Sequence, residues 1–227
     1  MATKARRPER RQEPLSRERI VGAAVELLDS VGEGGLTFRA LAERLATGPG
    51  AIYWHVAGKT ELLAAATDAV VATALAGDHT DATPNEAIRA LALGLFDAID
   101  DHPWVGTQLA RTPAQPPMLQ VFERIGRQVR ALGVPEAAQF TAASALLNYV
   151  LGVAGQNAAN ARTHQPGTNR AEFLDAVATE WEELDPDQYA FTRGVAGQLR
   201  EHDDRAEFAA GIDLILTGIT AHEWRGR

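Results

Sequence analysis

Apolar residues recur at steps of three and four along nearly the whole chain, and this periodicity restricts the fold more than any other feature. No segment shows the strict alternation that a half-buried strand requires. The chain has 227 residues, enough to bury a large helical core. The sequence therefore predicts an all-α fold of nine or ten helices. The helical spacing is clearest in the segments 20–31, 36–45, 62–75, 87–99, 118–132, 137–161 and 207–219.

Capping residues and prolines mark where several of these helices begin and end. Thr83, Pro84 and Glu86 form a capping-box pattern with proline at the first helical position, which predicts a helix from there to about position 100. Prolines at positions 103, 113, 116 and 117 divide the next stretch into a short helix, a turn and a longer helix from about 118 to 132. Asp204 and Glu207 predict the cap of the last helix.

Three helices near the start of the chain have the pattern of a helix-turn-helix domain. Ser16 is a good N-cap for a first helix, whose apolar stripe runs to position 31. Thr37 caps a short second helix, and Gly48 with Pro49 begins a third after a tight turn. In such a motif the last helix fits the major groove of DNA. The sequence therefore predicts a DNA-binding domain at residues 16–61.

The residues of this domain resemble the N-terminal domain of the tetracycline-repressor (TetR) family. The resemblance rests on the segments 36–42 and 50–56, on Lys59 and on the leucine pair at 62 and 63. It covers only the N-terminal domain, and the rest of the chain matches in size, helicity and order of helices. The resemblance implies a dimeric transcriptional regulator, expected to be a repressor that a small molecule releases from a palindromic operator.

The same resemblance implies which residues touch DNA. Tyr53 is expected to bind phosphate, Arg39 to reach a base edge, and Lys59 to neutralise phosphate. The recognition helix begins with residues that lack a hydrogen-bonding side chain, so base reading shifts toward Arg39, His55 and the arm before the first helix. For Tyr53 and Trp54 the alternative is a place in the core. The expected DNA-binding residues are Thr37, Arg39, Pro49, Gly50, Ala51, Tyr53, Trp54, His55 and Lys59.

Charge is divided unevenly along the chain. The net charge is −8, but residues 1–60 carry +3 and residues 61–227 carry −11. Residues 1–15 hold several Lys and Arg residues between prolines that favour an extended chain. This segment is expected to be a flexible basic arm that follows DNA phosphates or enters a minor groove. A solvated tail without a partner is the alternative.

Two features indicate a cytoplasmic protein. The chain has no cysteine, which fits a reducing compartment. Its basic start is not followed by the apolar run of a secretory signal.

The charge-free segment 137–161 is long enough to span a membrane, but its many amide side chains favour a buried helix instead. No membrane contact is expected.

Residues 62–227 are expected to form a helical domain that binds an effector and holds the dimer together. Ser144, Asn148, Gly152, Gln156 and Asn160 recur at every fourth position and form a polar stripe on the longest helix. Buried polar groups need hydrogen-bond partners. Another helix of the chain, a second copy or a small molecule could supply them, and the sequence leaves these alternatives open.

The TetR resemblance implies a dimer in which two helices of each subunit form a four-helix bundle. The matching segments are 140–160 and 208–222. On the second of these, the expected contact face contains Phe208, Gly211, Ile212, Ile215 and Ile219.

The effector is expected to be an apolar or aromatic small molecule. Its pocket is expected to contain aromatic and polar residues from helices that face inward, each of which is also typical of a plain core. The expected ligand-binding residues are Phe96, His102, Trp104, Gln108, Phe122, Asn148, Tyr149 and Trp181.

No metal or other cofactor and no catalytic residue are expected. The metal contact of the tetracycline repressor does not carry over, because Gln108 stands where a histidine would be needed. The alternative function is a helical metal-dependent hydrolase with a His-Asp site around His202, since His202, Asp203 and Asp204 are similar to the metal-binding pair of helical phosphohydrolases. Further metal ligands are not evident, and neither a serine nucleophile elbow nor a phosphate-binding glycine loop occurs.

Overall fold

The computed structural model describes residues 14–77, 81–111, 116–163 and 169–222. These residues form eleven helices and no strand, so the predicted all-α fold is confirmed. In chain order the helices are α1 (Arg17–Gly35), α2 (Phe38–Arg44), α3 (Pro49–Tyr53), α4 (Lys59–Ala74), α5 (Pro84–Asp101), α6 (Pro103–Arg111), α7 (Pro116–Ala131), α8 (Glu136–Thr163), α9 (Arg170–Glu182), α10 (Ala190–Arg200) and α11 (Asp204–Ala221).

The expected number of nine or ten helices is too low, because α9 and α10 have few apolar positions. Only Leu174 and Ala178 of α9 and Ala196 of α10 are buried. The two helices pack mainly on each other. Arg200 of α10 also forms an ion pair with Glu182 of α9 at 2.5 Å. Such a short apolar stripe gives little periodic signal in the sequence.

Most of the basic arm predicted at residues 1–15, and the turn predicted at Pro113, lie outside the described residues. The chain divides into two compact units, Met1–Ala66 and Thr67–Arg227, which we call the head and the body. Helix α4 is continuous from Lys59 to Ala74 and contributes residues to both units. The boundary predicted between residues 61 and 62 falls inside this helix, and the functional division there stays a prediction.

Side-chain caps begin several helices where the sequence predicts them. The hydroxyl groups of Ser16 and Thr37 each accept a hydrogen bond from the backbone N–H three residues further on, at 3.3 Å and 3.1 Å. At the start of α5, Thr83 and Glu86 form the predicted reciprocal capping box. Gly32 has a φ of 69°, which glycine adopts at low cost, and it interrupts α1 near its end.

The head has a small apolar core that fixes the helix-turn-helix. Ile20 of α1, Leu41 of α2, Ile52 of α3 and Leu62 of α4 are almost completely buried. Because each helix turns one apolar stripe inward, its other residues are left on the surface. The DNA-binding residues predicted above all lie outside this core.

The body is built around α8, which packs against α5, α6, α7 and α11. Three rings stack where α5, α8 and α11 meet: Phe208 lies 4.7 Å from Phe96 and 5.4 Å from Tyr149 between ring centroids. Gly211 leaves room for this stack, since a Cβ there would lie 1.9 Å from the hydroxyl oxygen of Tyr149. The close approach that glycine permits on α11 therefore lies inside one chain.

The prediction of which face of α11 forms the dimer contact is wrong in part. Phe208, Ile212 and Ile219 are buried inside the body. Their helical spacing indicates an apolar face, but spacing alone does not tell whether the same chain or a second copy covers that face. In this chain α5 and α8 cover it.

Candidate nucleic-acid interface and ligand grooves

Two aromatic side chains project from the end of the recognition helix α3. Tyr53 is 55% exposed and Trp54 is 89% exposed, so the alternative that they belong to the core is wrong. The Tyr53 ring lies flat on the Phe38 ring of α2, with 4.2 Å between centroids and 1° between planes. This stack orients the phenol without burying its hydroxyl group. A hydroxyl held in this way can donate a hydrogen bond to a phosphate.

The two cations predicted to contact DNA already have partners within the head. The Arg39 side chain is 88% exposed, and its Nε donates to Glu43 one turn later at 3.0 Å. Lys59 Nζ donates to the backbone carbonyl of Glu33 at 2.6 Å, near the end of α1. An exposed ion pair such as that of Arg39 contributes little free energy, so Arg39 can exchange Glu43 for DNA at small cost. The partner of Lys59 is a neutral backbone carbonyl, which Lys59 must give up or share when it binds a phosphate.

The start of α3 leaves its backbone accessible. Gly48 is the N-cap and makes no side-chain hydrogen bond, and Pro49 occupies the first helical position. Pro49 and Gly50 are exposed and Ala51 is half-buried. Pro49 has no backbone N–H and Ala51 N already donates to the Gly48 carbonyl at 3.0 Å, so the Gly50 N–H is the amide of this turn that can donate to phosphate or to a base edge.

The remaining residues of the predicted interface flank this helix. Thr37 is exposed, and its hydroxyl oxygen accepts from Ala40 N while its proton remains available to an acceptor. His55 is half-buried after the end of α3. The nine predicted DNA-binding residues thus lie on α2, on α3, directly beside these helices and, for Lys59, at the start of α4, and their contacts with DNA stay a prediction.

The residues predicted to bind the effector do not form one cluster. Phe96 and Tyr149 belong to the stack around Phe208. His102 and Trp104 lie 6.1 Å apart between ring centroids, where α5 gives way to α6. The half-buried Gln108 is on α6, and the half-buried Trp181 is on α9.

Asn148 is exposed on the outer surface of α8, so the expectation that it faces inward is wrong. Gly152 and Gln156 of the same polar stripe are also exposed, and Ser144 is half-buried beside them. The side chain of Asn160 lies outside the described residues. The polar stripe therefore faces away from the core of its own chain.

The exposed faces of α8 and α11 consist mostly of small side chains. On α8 the exposed positions include Thr141, Ala145 and Gly152. On α11 they include Ala210 and Leu214, which is 74% exposed. Sequence spacing could have separated these faces from the buried ones, because the buried positions of each helix recur mostly at steps of three and four. Small side chains allow two helices to approach closely.

A groove of about 340 Å³ lies between α7 and α8 and is called the α7–α8 groove. Of the predicted ligand residues it contains only Phe122, whose ring meets Phe140 edge-to-face at 6.0 Å. Sequence reasoning did not single out its other residues, since each is common on the surface of any helix. The groove is formed by Phe122, Glu123, Gly126, Arg127, Arg130, Glu136, Gln139, Phe140 and Ala143.

A second groove of about 520 Å³, the α8–α11 groove, lies beside the aromatic stack. Burial and, to a smaller extent, the charge of Glu207 raise the pKa of Tyr149 in this groove. The Tyr149 hydroxyl donates to the backbone carbonyl of Phe208 at 3.3 Å. The α8–α11 groove is formed by Tyr149, Val153, Gln156, Asn157, Ala159, His202, Asp204, Glu207 and Phe208.

The His-Asp sequence around His202 serves the structure of α11. Asp203, not Asp204, is the N-cap of this helix, and its carboxylate accepts from Ala206 N at 2.8 Å, which lowers the pKa of Asp203. Asp204 is the first helical residue and pairs with His202 at 2.9 Å and with Arg170 at 2.8 Å. The predicted cap is therefore displaced by one residue. Among the described residues, no three His, Asp or Glu side chains are grouped so as to hold a metal ion.

Two family models match consecutive parts of the chain. The model described as bacterial regulatory proteins of the tetR family matches residues 20–66. The model described as the tetracyclin repressor-like C-terminal domain matches residues 77–222. The first match lies in the head and the second in the body.

Known relatives match over almost the whole chain. An HTH-type transcriptional regulator of Saccharopolyspora erythraea is 33% identical over 223 residues, which are 95% of this chain and 90% of the relative. The HTH-type transcriptional repressor DrrR1 of Streptomyces coeruleorubidus is 31% identical over 225 residues, which are 94% of this chain and 81% of the relative. These similarities favour the predicted DNA-binding regulator over the alternative of a hydrolase.

Solved structures are similar as well. A transcriptional regulator from Streptomyces coelicolor, described as a TetR, is 65% identical with a TM-score of 0.84, and the match covers 92% of this chain and 99% of that one. The structure of BioQ with its double-stranded DNA operator is 28% identical with a TM-score of 0.59 and covers 92% of this chain and 100% of that one.

Proposed function

The chain belongs to the tetR family of bacterial regulatory proteins, and we propose that it represses transcription from a palindromic operator until a small molecule binds its body. The observation that carries the proposal is the surface of the head. There the recognition helix ends in the exposed aromatic pair Tyr53 and Trp54, and the exposed cations Arg39 and Lys59 lie on the neighbouring helices of the chain, α2 and α4. This combination of stacking surface, hydroxyl group and positive charge is suited to the DNA backbone.

The contacts with DNA divide into positioning and reading. Tyr53, Lys59 and the Gly50 amide bind phosphates and set the position of α3 in the major groove. Arg39 reads a base edge, most favourably that of guanine, after it leaves Glu43. Because α3 begins with Pro49 and Gly50, its first turn reads shape and backbone rather than bases. The basic residues of the arm add sequence-independent attraction.

The repressor is a dimer, because a palindromic operator presents the same half-site twice and a two-fold pair of heads matches it. The exposed faces of α8 and α11 form the interface. Their small side chains and Leu214 leave an apolar surface on a single chain, and a second copy removes that surface from water.

The same interface accounts for the composition of α8. From Glu136 to Asn157 this helix is long and apolar enough to cross a membrane, and only 28% of its most apolar stretch is buried within one chain. In a dimer the exposed part of α8 packs on a second copy. Asn148 and Gln156 then obtain partners across the interface, which a lipid environment would not provide. The protein therefore works in the cytoplasm without membrane contact.

A bound effector changes the position of the head through α4. Arg124 of α7 donates to the backbone carbonyl of Leu75 at 2.5 Å, just after the end of α4. Gln120 of α7 donates to Asp68 on α4 at 3.0 Å. A small molecule that displaces α7 therefore also displaces α4, whose first residue is Lys59. A preference of about 1–3 kcal/mol for the non-binding state changes operator affinity five- to 150-fold.

The test selects bound duplexes from a random pool and compares two variants on the selected sequence. We expect an inverted repeat with half-sites about one helical turn apart, or a small multiple of that distance. Tyr53→Phe removes one hydroxyl group and keeps the stack on Phe38, and we expect it to weaken operator binding. Tyr189→Phe is the matched control, because Tyr189 is an exposed tyrosine of the body. Selection without sequence preference, or equal effects of both variants, would contradict the proposal.

A further inference from the structure

The α7–α8 groove has an aromatic wall that its own chain leaves uncovered. Phe140 is 73% exposed although it is a large apolar side chain. Its ring meets that of Phe122 at 68°, so only one side of each ring is used by the other. An exposed apolar patch beside a groove is typical of a binding site.

Gly126 keeps the floor of the groove open. A Cβ at this position would have no heavy atom within 4 Å, so the space next to it is empty. A large side chain at this position would extend into that space, whereas a single methyl group would leave most of it open.

The rim of the groove carries one cation and one anion that are not paired. Glu123 and Arg127 neutralise each other at 2.8 Å. Arg130 and Glu136 make no ion pair with each other, and neither side chain has a hydrogen bond or ion pair to any residue in the described parts of the chain. Their side chains are free to bind a carboxylate and an ammonium group.

We propose that the α7–α8 groove binds an aromatic molecule that carries both a carboxylate and an ammonium group, as an aromatic amino acid does. The aromatic part lies against Phe122 and Phe140 above Gly126. The carboxylate binds the guanidinium of Arg130, and the ammonium group binds Glu136. The volume of about 340 Å³ is within the range of small-molecule sites.

The proposal rests on the proposed function and names the effector class of the body. Phe122 and Gly126 face the groove. Gln120 and Arg124, two positions earlier on α7, donate hydrogen bonds to a residue inside α4 and to the residue just after its end. A shift of two residues turns a helix by about 200°, so these pairs lie on opposite sides of α7. A ligand in the groove therefore contacts α7, the helix whose opposite side is hydrogen-bonded to the α4 region.

The test measures binding of three probes to the full-length protein by calorimetry. The probes are L-tryptophan, tryptamine, which lacks the carboxylate, and indole-3-propionate, which lacks the ammonium group. We expect L-tryptophan to bind about tenfold more tightly than either analogue, since each analogue leaves one charged group of the protein unpaired. Equal binding of the three probes, or binding of none, overturns the proposal.

Four variants test whether the probe binds in the α7–α8 groove. Gly126→Leu fills the floor and should lower the affinity for L-tryptophan about tenfold or more, whereas Gly126→Ala should change it less than about twofold. Arg130→Gln should weaken binding of L-tryptophan and indole-3-propionate but not of tryptamine. Arg127→Gln is its control, because Arg127 is already paired with Glu123. An affinity for L-tryptophan that Gly126→Leu leaves unchanged, or that Arg130→Gln and Arg127→Gln lower equally, overturns the proposal.

Two measurements distinguish a ligand in the groove from a second copy on Phe140 and from a head that does not bind DNA. If Phe140→Ser converts the dimer into a monomer in sedimentation, a second copy covers Phe140 and the ligand site is overturned. Binding of all variants to the selected operator is measured without probe. If operator binding is intact and the probes fail, only the ligand site is wrong. If the parent selects no operator, the proposed function itself fails.

Discussion

The end of α3 in the head and the ring stack around Phe208 in the body treat their aromatic side chains in opposite ways. In the head, Tyr53 and Trp54 project into solvent at the end of a helix of five residues. In the body, Phe96, Phe208 and Tyr149 stack between three long helices, and Phe208 is only 1% exposed. The exposed faces of α8 and α11 carry mostly small residues instead.

This contrast shows that an aromatic residue has a different meaning in the two places. An exposed aromatic side chain that packing does not retain needs another reason to be there, and at the end of α3 the reason we propose is DNA. An aromatic side chain of the stack contributes apolar area to the core. We therefore expect the aromatic residues at the end of α3 to matter for function and those of the stack to matter for stability, and the following experiments test that distinction.

Equivalent truncations in the two units should have opposite consequences. Phe208→Ala removes the central ring of the stack and should lower the free energy of unfolding by about 3–5 kcal/mol. Trp54→Ala should change it by less than about 0.5 kcal/mol, because the indole is exposed, yet operator binding should weaken. Chemical denaturation and operator titration of both variants measure these effects. A large loss of stability in Trp54→Ala would refute the contrast.

Two substitutions within the head should separate reading from positioning. Arg39→Ala should cost about 1–3 kcal/mol per half-site on the operator and relax the preference at one base pair. Lys59→Ala should weaken binding to every duplex and reduce the salt slope by about one unit per contact. Titrations on operator and scrambled duplexes at several salt concentrations distinguish them. Arg39 is a backbone contact if its loss leaves the operator preference unchanged.

Two glycines in helices should respond differently to a single methyl group. Gly211→Ala in the body places a Cβ against the Tyr149 hydroxyl and should destabilise the fold by about 1–3 kcal/mol. Gly22→Ala in α1 of the head has open space and should stabilise it by about 0.5–1 kcal/mol. Denaturation midpoints of the two variants test this. Equal shifts would mean that the stack yields without cost.

The smallest expected effect is a dependence of body stability on pH. The pKa of Tyr149 is raised by burial and by Glu207, so the folded chain holds the phenol proton more tightly than the unfolded chain does. The contribution of Tyr149 to stability should be constant below the ordinary tyrosine pKa of about 10 and should fall as the pH rises above it. Denaturation on both sides of that pH should show a shallower decline in Tyr149→Phe. An unchanged decline would exclude Tyr149 as its source.

Local signals in the sequence predicted much of the fold and of the DNA-binding surface. The caps at Ser16, Thr37 and Thr83 were predictable because the capping group and its target lie within three residues. The exposed state of Trp54 was not, since it depends on what α1 and α2 leave uncovered. The sequence did predict an apolar face for α11, but whether Phe208 faces its own chain or another depends on the packing of α5 and α8.

The body illustrates the same limit for ligands. Tyr149 and Gly211 are 62 positions apart, and only tertiary packing shows that one makes room for the other. Arg130 and Glu136 lie on different helices, and nothing in their local sequence indicates that they share a groove without pairing. Sequence reasoning therefore named aromatic residues that occupy several separate places in the body. Contacts between distant residues decide where a ligand fits, whereas local pattern decides where a helix begins.

The unequal exposure of the indole rings also affects the light that the protein emits. Trp54 is exposed in the head, whereas Trp104 is buried in the body. An indole in water emits at longer wavelength and is reached by dissolved quenchers, and a buried indole is shielded from both effects. With Trp181 and Trp224 replaced by phenylalanine, the red side of the emission spectrum reports on the head and the blue side on the body. DNA binding and ligand binding can then be followed separately, at two wavelengths, without an attached label.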